Sequence, residues 1–312
     1  MNEFKIINNY FKVLAKKNPS AKKLNDDVFF DKKKGVVISL DTYNSGIHFL
    51  GFEYPYYIVK KIIRSSLSDL ICKGVKPKYY FLSGGGNKQT FTKKNLSLIS
   101  KSLKEEQKKY SIEIGGGDTV YSKIPSFSVT TIGFAKNIIE RNRAKKDDDI
   151  YVTGSIGDSF IGLKVIQKKY LMENKLKKYF IYKYYCPDIP YNFSKYLFSF
   201  ANTSIDISDG LISDMMRLIN SQKLSFSIDV DKIPISKKLN NFLKKYNKPK
   251  NKLVFNGDDY QILFTSSKSN RLRIRTIANQ LNQKVTIIGK ISDGHKKNLL
   301  KEGNKSLKLS SF

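Results

Sequence analysis

The sequence predicts an α/β protein of the α+β type, built from two mixed α/β domains. Three observations carry this. With 312 residues, 40% of them hydrophobic, the chain can bury a substantial core, and its length suits about two domains. Strand-like runs mix with helical patterns in both halves. The charged run RNRAKKDDD interrupts them near the middle, which puts the boundary at 140–150 and gives domains of residues 1–140 and 141–312.

Each element has its own signal. Phe4, Ile7, Phe11 and Leu14 are spaced as on a helix. GVVISLDTY is a short apolar run ending in Asp41, as in a buried strand. Between Tyr56 and Lys73, Ile58, Ile62, Ile63, Leu67, Leu70 and Ile71 recur at helical spacing. Gly74 then stops the helix in a left-handed conformation, and Pro77 follows. KYYFLSGGG predicts a strand entering a flexible turn, residues 93–109 an exposed helix, and YSIEIGGGDT a strand that breaks into glycines. SFSVTTIGFA alternates as a strand does. In the second half IYVTGSIGDS reads as strand, glycine turn and helix start. YYCPDIPYNF is a proline-punctuated loop before another helix. SFSIDVDKIPIS is strand and turn, LVFNGDDYQILFTSS a loop into a strand, residues 268–282 a helix, and KVTIIGKIS a strand.

Composition narrows the functional classes. The formal net charge is +30, which raises the question of a nucleic-acid binder. The lysines are spread along the chain rather than gathered into one arm, so the charge implies a general attraction for small anions, with nucleic acid an improbable main partner. No apolar run approaches the ~20 residues that span a bilayer, and the N-terminus is amphipathic rather than signal-like, so a cytoplasmic location is expected. Cys72 and Cys186 lie far apart without a CxxC and are expected to be reduced thiols.

Against that basic background the acids are placed unusually. SIDISDGLISDM sets Asp206, Asp209 and Asp214 among apolar residues at a strand-to-helix join. Asp26, Asp27, Asp41, Asp69, Asp118, Asp258 and Asp259 also have apolar or glycine neighbours, making ten of the 27 acidic residues. A carboxylate at the end of a buried strand is costly unless it is paired or holds a metal. Each has a plain alternative: Asp209 an N-cap, the Asp26–Asp27 and Asp258–Asp259 pairs turn residues, Asp69 a cap or ligand within a helix it does not favour. Taken together they suggest convergence on several hard cations, which take carboxylate oxygens and substrate phosphates. The tracts Gly84–Gly86 and Gly115–Gly117 are turns, or places where backbone amides approach a phosphate. No GxxxxGK[ST] loop and no ordered kinase HRD and DFG set is present.

In order, these motifs resemble those of the thiamine-monophosphate kinase family, within the superfamily of aminoimidazole ribonucleotide synthetase and selenophosphate synthetase. NDDVFF resembles the family's GDD-A segment, SLDTYNSGIHF its S-x-DT-x-x-x-G-x-HF, and SLSDLICKGVKP its NLSDLAAMGA-P. IGGGDTV resembles GGDT, IDISDGLISDM resembles IDISDGL-x-x-DL, and NGDDYQILFT resembles GGEDYELLFT. The resemblance runs almost end to end and implies the aminoimidazole ribonucleotide synthetase-like fold, with N-terminal sheets pairing in a homodimer. It implies Mg²⁺-assisted transfer of the γ-phosphoryl of ATP to thiamine monophosphate, without a general base. Metal ligands would be Asp27, Ser39, Asp41, Asp69, Asp118, Asp206 and Asp209, with backbone at Leu40. Tyr110, Gly117, Asp118, Arg141 and Ser208 would meet ATP, and His48 and Asp258 thiamine phosphate. The SDG amides after Ser208 would add anion donors at a helix start. Asn25 and Asn256 replace motif glycines, Leu40 a Thr or Ser, and Asp258 a glutamate one methylene longer. A sister enzyme using the same scaffold on another substrate is the alternative; a nucleic-acid binder is a more distant one.

Overall fold

The computed structural model describes residues 3–295 and 297–309, so the last three residues of the SLKLSSF tail lie outside the description. After a helical N-terminal segment come β1 (Phe29–Asp31), β2 (Val36–Asn44), α1 (Pro55–Cys72), β3 (Pro77–Gly86), α2 (Lys93–Tyr110), β4 (Glu113–Tyr121) and β5 (Ser126–Phe134). The strands form one five-stranded sheet in the order β1-β2-β5-β3-β4. Then follow β6 (Asp149–Thr153), α3 (Asp158–Ile166), α4 (Asn174–Tyr185), β7 (Thr203–Asp206), α5 (Leu211–Leu218), β8 (Leu224–Asp229) and α6 (Lys237–Lys245). The chain closes with β9 (Ile262–Ser266), α7 (Arg271–Gln280), β10 (Val285–Asp293), β11 (Leu299–Glu302) and β12 (Lys305–Lys308). These strands form a seven-stranded sheet in the order β12-β11-β8-β10-β6-β9-β7. Among the described residues no helix is long and apolar enough to cross a membrane. Both cysteines are buried and free.

Helix α1 organises the molecule. Fifteen of its eighteen residues are buried, which marks a helix enclosed on all sides rather than one lying on a surface. It packs on β2 and β5 of the first sheet and on β7 and α4 of the second half. One hydrophobic cluster accordingly runs from Ile58, Ile62 and Val129 through Tyr184 to Phe193 and Phe264. The helix ends at Cys72, with Gly74 at φ +80° as the sequence predicts.

The glycine tracts are a correction. Neither is a turn. Gly84–Gly86 and Gly115–Gly117 lie inside β3 and β4, which pair in parallel across them. A Cβ on Gly117 would stand 1.9 Å from the Leu82 carbonyl oxygen, so the tract lets two backbones approach. Helices α4 and α6 and the β11–β12 hairpin were not legible in the pattern.

Candidate active site

Four acids from four separate elements meet at the seam between the sheets. Asp41 lies on β2, between the buried Ser39 and Tyr43. Asp69 is on α1, Asp206 ends β7, and Asp27 lies in the loop before β1. Their proximity shows in their ionisation. Burial, then the Asp206 charge, raises the Asp41 carboxyl to about 7. Burial and the charges of Asp41 and Asp206 hold Asp69 well above the usual carboxylate range, against a Ser39 hydrogen bond. Burial also raises Asp206, against the Ser68 hydroxyl at 2.6 Å and the charges of Arg141 and Lys73. Asp41 Oδ2 is buried without a hydrogen-bond partner.

Asp26 and Asp27 are paired differently. The Lys73 ammonium, entirely inaccessible to solvent, lies 2.8 Å from Asp26 Oδ1 and 2.6 Å from Asp27 Oδ2. Arg141 donates its backbone amide to Asp26 (3.0 Å) and its Nε to Asp27 Oδ2 (3.2 Å), and a second guanidinium nitrogen pairs with Asp27 Oδ1. Arg141, Arg217, Lys12, Lys23 and Asp26 also line a cavity of about 430 Å³ beside this pair.

The donor set fits a hard divalent cation. Crowded carboxylates that repel one another, together with an unpartnered buried oxygen, leave a deficit of positive charge that an oxygen-coordinated ion would offset. Asp27, Cys72 and Asp206 each bring a ligand atom within 4.8 Å of the others. The Cys72 thiol, held protonated by burial, instead donates to the Asp69 carbonyl at 3.1 Å.

A second group adjoins the acids. His48 Nδ1 accepts the Asn44 amide at 3.0 Å, and burial and Lys61 lower its pKa. The imidazole is therefore neutral near pH 7, with its proton on Nε2. Asp258, at φ +67°, accepts the Tyr260 hydroxyl (2.8 Å) and lies 3.0 Å from the Lys61 ammonium. Lys61 is buried over the Tyr184 ring at 3.5 Å, and the Tyr184 hydroxyl bonds the His48 carbonyl at 3.0 Å. The Asp258 amide donates to the Ser208 carbonyl at 2.8 Å. That contact needs Gly257, whose Cβ would fall 1.8 Å from the same carbonyl.

Several sequence expectations change here. The amides of Ser208, Asp209 and Gly210 are not anion donors: all three donate to Asp214 Oδ2, at 3.0, 3.1 and 3.1 Å. Asp214, fully buried, fixes the SDG turn, while Asp209 is exposed and pairs with Arg217. Asp118 and Gly117 sit on β4, where all nine residues are exposed. Register carries Asp118 across Ser83 and Ser128 to Thr42, three strands or about 14 Å from β2. Leu40 is exposed on the outer face of its sheet. Tyr110 is buried at the end of α2, edge-on to Tyr191 at 5.3 Å. Lys61 and Lys73 were not singled out from sequence, and Asp214, noted there among the unusual acids, was given no role. The available signal was Lys61 beside the apolar stripe of a helix and Lys73 just past its end, and it is faint in a chain with 57 basic residues.

A pH dependence follows. The folded-state pKa of Asp41, about 7, lies above the ordinary aspartate value of 3.8, so its contribution is most favourable below pH 4 and is lost as pH rises through 7. Asp69 and Asp206 shift in the same direction. In chelator, Tm is expected to fall by about 5 °C or more between pH 5 and 7.5, with Mg²⁺ reversing the loss. A Tm that rises over that interval and ignores Mg²⁺ contradicts the assignment.

Residues 25–135 match the family model "AIR synthase related protein, N-terminal domain". The chain is 35% identical to a thiamine-monophosphate kinase of Buchnera aphidicola subsp. Schizaphis graminum, over 95% of this chain and 92% of that protein. It is 30% identical to the Aquifex aeolicus enzyme, over 82% and 84%. A solved structure described as "AaThiL complexed with AMPPCP and TMP" aligns at TM-score 0.85 and 26% identity, covering 98% of this chain and 94% of that one. With its acids drawn from both halves into one seam and its relatives matched nearly end to end, the chain belongs to the thiamine-monophosphate kinase family.

Proposed function

We propose that this chain transfers the γ-phosphoryl group of ATP to the phosphate of thiamine monophosphate, giving thiamine diphosphate and ADP, in the cytoplasm and with Mg²⁺. The observation that carries the reading is the meeting of Asp27, Asp41, Asp69 and Asp206 beside His48 and Asp258. The acceptor phosphate is already ionised at neutral pH, so no general base is needed. The obstacle is repulsion between two polyanions, about 4 kcal/mol per pair of unit charges at ~4 Å and an effective dielectric near 20. Mg²⁺ held by these carboxylates supplies the charge neutralisation.

The chain's own groups do the rest. Asp41, Asp69 and Asp206, with Asp27 and Ser39, are the proposed metal holders; the exposed Asp209 acts on Asp206 by its charge. Arg141 and Ser208 face the nucleotide, and Arg141 carries its charge beside the cavity that suits a polyphosphate. His48 offers a neutral N–H to the acceptor phosphate, while Asp258 complements the cationic thiamine portion. Asp118, Gly117, Tyr110 and the Leu40 backbone need another source of proximity. The exposed edge strand β4, with Ile114, Val120 and Tyr121, and the exposed Leu40, Phe81 and Phe134 support pairing of N-terminal sheets in a homodimer. In such a pair Asp118 would serve the partner's acids.

The test is incubation with ATP, Mg²⁺ and thiamine monophosphate, with chromatography for thiamine diphosphate. Its formation in stoichiometry with ADP is expected. No product, with ADP release on a purine precursor instead, would transfer the reading to a sister activity.

A further inference from the structure

The carboxylates at the seam fall into two sets. Asp26 and Asp27 already have cations: the three protons of Lys73 meet Asp26, Asp27 and the Ser204 carbonyl, at 2.8, 2.6 and 2.8 Å. That uses every donor the ammonium has. Arg141 takes the remaining Asp27 oxygen. Asp41, Asp69 and Asp206 lie together with hydroxyl partners, and one Asp41 oxygen is buried with no partner. A dication entering beside Asp26 and Asp27 would meet a fixed ammonium within contact distance. One entering between Asp41, Asp69 and Asp206 would meet three carboxylates that Lys73 reaches only as a charge, at Asp69 and Asp206, and would relieve their repulsion.

We propose that Lys73 is a resident cation of this site: it occupies Asp26 and Asp27, so the nucleotide-free protein takes its divalent ion at Asp41, Asp69 and Asp206. Asp27 then becomes available only when Arg141 turns from it to an incoming polyphosphate. The inference rests on the metal-assisted reading above, but its readout needs no turnover.

The experiment is Mn²⁺ binding to the full chain without nucleotide at pH 7.5, by equilibrium dialysis with electron paramagnetic resonance of the free ion. The wild type is expected to bind about one ion per chain, Asp41→Asn to weaken it about tenfold or more, and Lys73→Met to gain about one further ion. No binding by the wild type, unchanged affinity in Asp41→Asn, or wild-type stoichiometry in a folded Lys73→Met each overturns the proposal. Should Lys73→Met not fold by circular dichroism, Asp26→Asn decides. Retention of the ion within about threefold supports the proposal, and loss equal to that of Asp41→Asn overturns it. Thiamine diphosphate formation by the wild type is measured separately, so failure of the kinase reading and failure of this ordering are distinguishable.

Discussion

Asp41→Asn is expected to lower kcat/KM for thiamine diphosphate formation about 10²- to 10³-fold while raising the Tm of the metal-free protein. The two effects have one cause. The carboxylate is buried, repelled by Asp206, and has an oxygen with no partner, so as a folded-state charge it is unfavourable. Asparagine removes that charge and keeps the shape, which should add a few degrees at pH 7.5 in chelator, about 2–6 °C. The same change removes a holder of the cation that offsets repulsion between the two phosphates, and losses of this size follow when one element of transition-state charge stabilisation is taken away. A residue placed for packing alone would lose stability and activity together. Steady-state kinetics and thermal melts on the same preparation decide it: full activity, or a lower metal-free Tm, sinks the assignment.

The largest stability effect is expected away from the chemistry, at Glu106. Its carboxylate is 1% exposed and receives Arg64 Nε at 2.9 Å, a second Arg64 nitrogen at 3.0 Å and Lys60 Nζ at 3.0 Å. Arg64 also donates to the Pro187 carbonyl at 3.1 Å, so the group ties α1 and α2 to the second half. Glu106→Ala leaves two buried cations without their shared anion, which costs about 3–5 kcal/mol and lowers Tm by roughly 10 °C. Glu105→Gln is the control. That residue bonds Tyr56 and Lys60 from an exposed position, and its loss should leave Tm essentially unchanged. Equal effects of the two substitutions would contradict the argument.

Much of the molecule was legible because its signals are local. The helical spacing from Ile58 to Ile71 gave α1 within a residue or two, since a helix enclosed on all sides needs apolar residues at every turn. The acids were legible because an aspartate beside apolar residues is costly wherever it lies. What failed depended on tertiary partners. Glycines read as turns became strand interiors because the neighbouring backbone, not a bend, needed their missing side chains. The SDG amides were claimed by Asp214, four residues beyond Gly210, which no anion motif announces. Lys61 and Lys73 look in sequence like the many lysines that face solvent, and only the surrounding carboxylates set them apart. The aromatic and lysine-rich α4 offers no clean stripe, because Phe180 packs in one cluster and Tyr184 and Tyr185 in another, with charged neighbours between them.

The position of α1 has a consequence for biogenesis. Its two flanks are sealed by segments far apart in the chain, β2 and β5 on one side and α4 and β7 on the other. A nascent chain that has completed the first sheet still exposes one flank of its central helix to water, and that greasy flank stays uncovered until α4 and β7 have been made. Holdase chaperones should therefore engage chains arrested before α4 more strongly than released ones, and a split into two fragments at the charged run of residues 141–149 should give insoluble pieces rather than two independent folds.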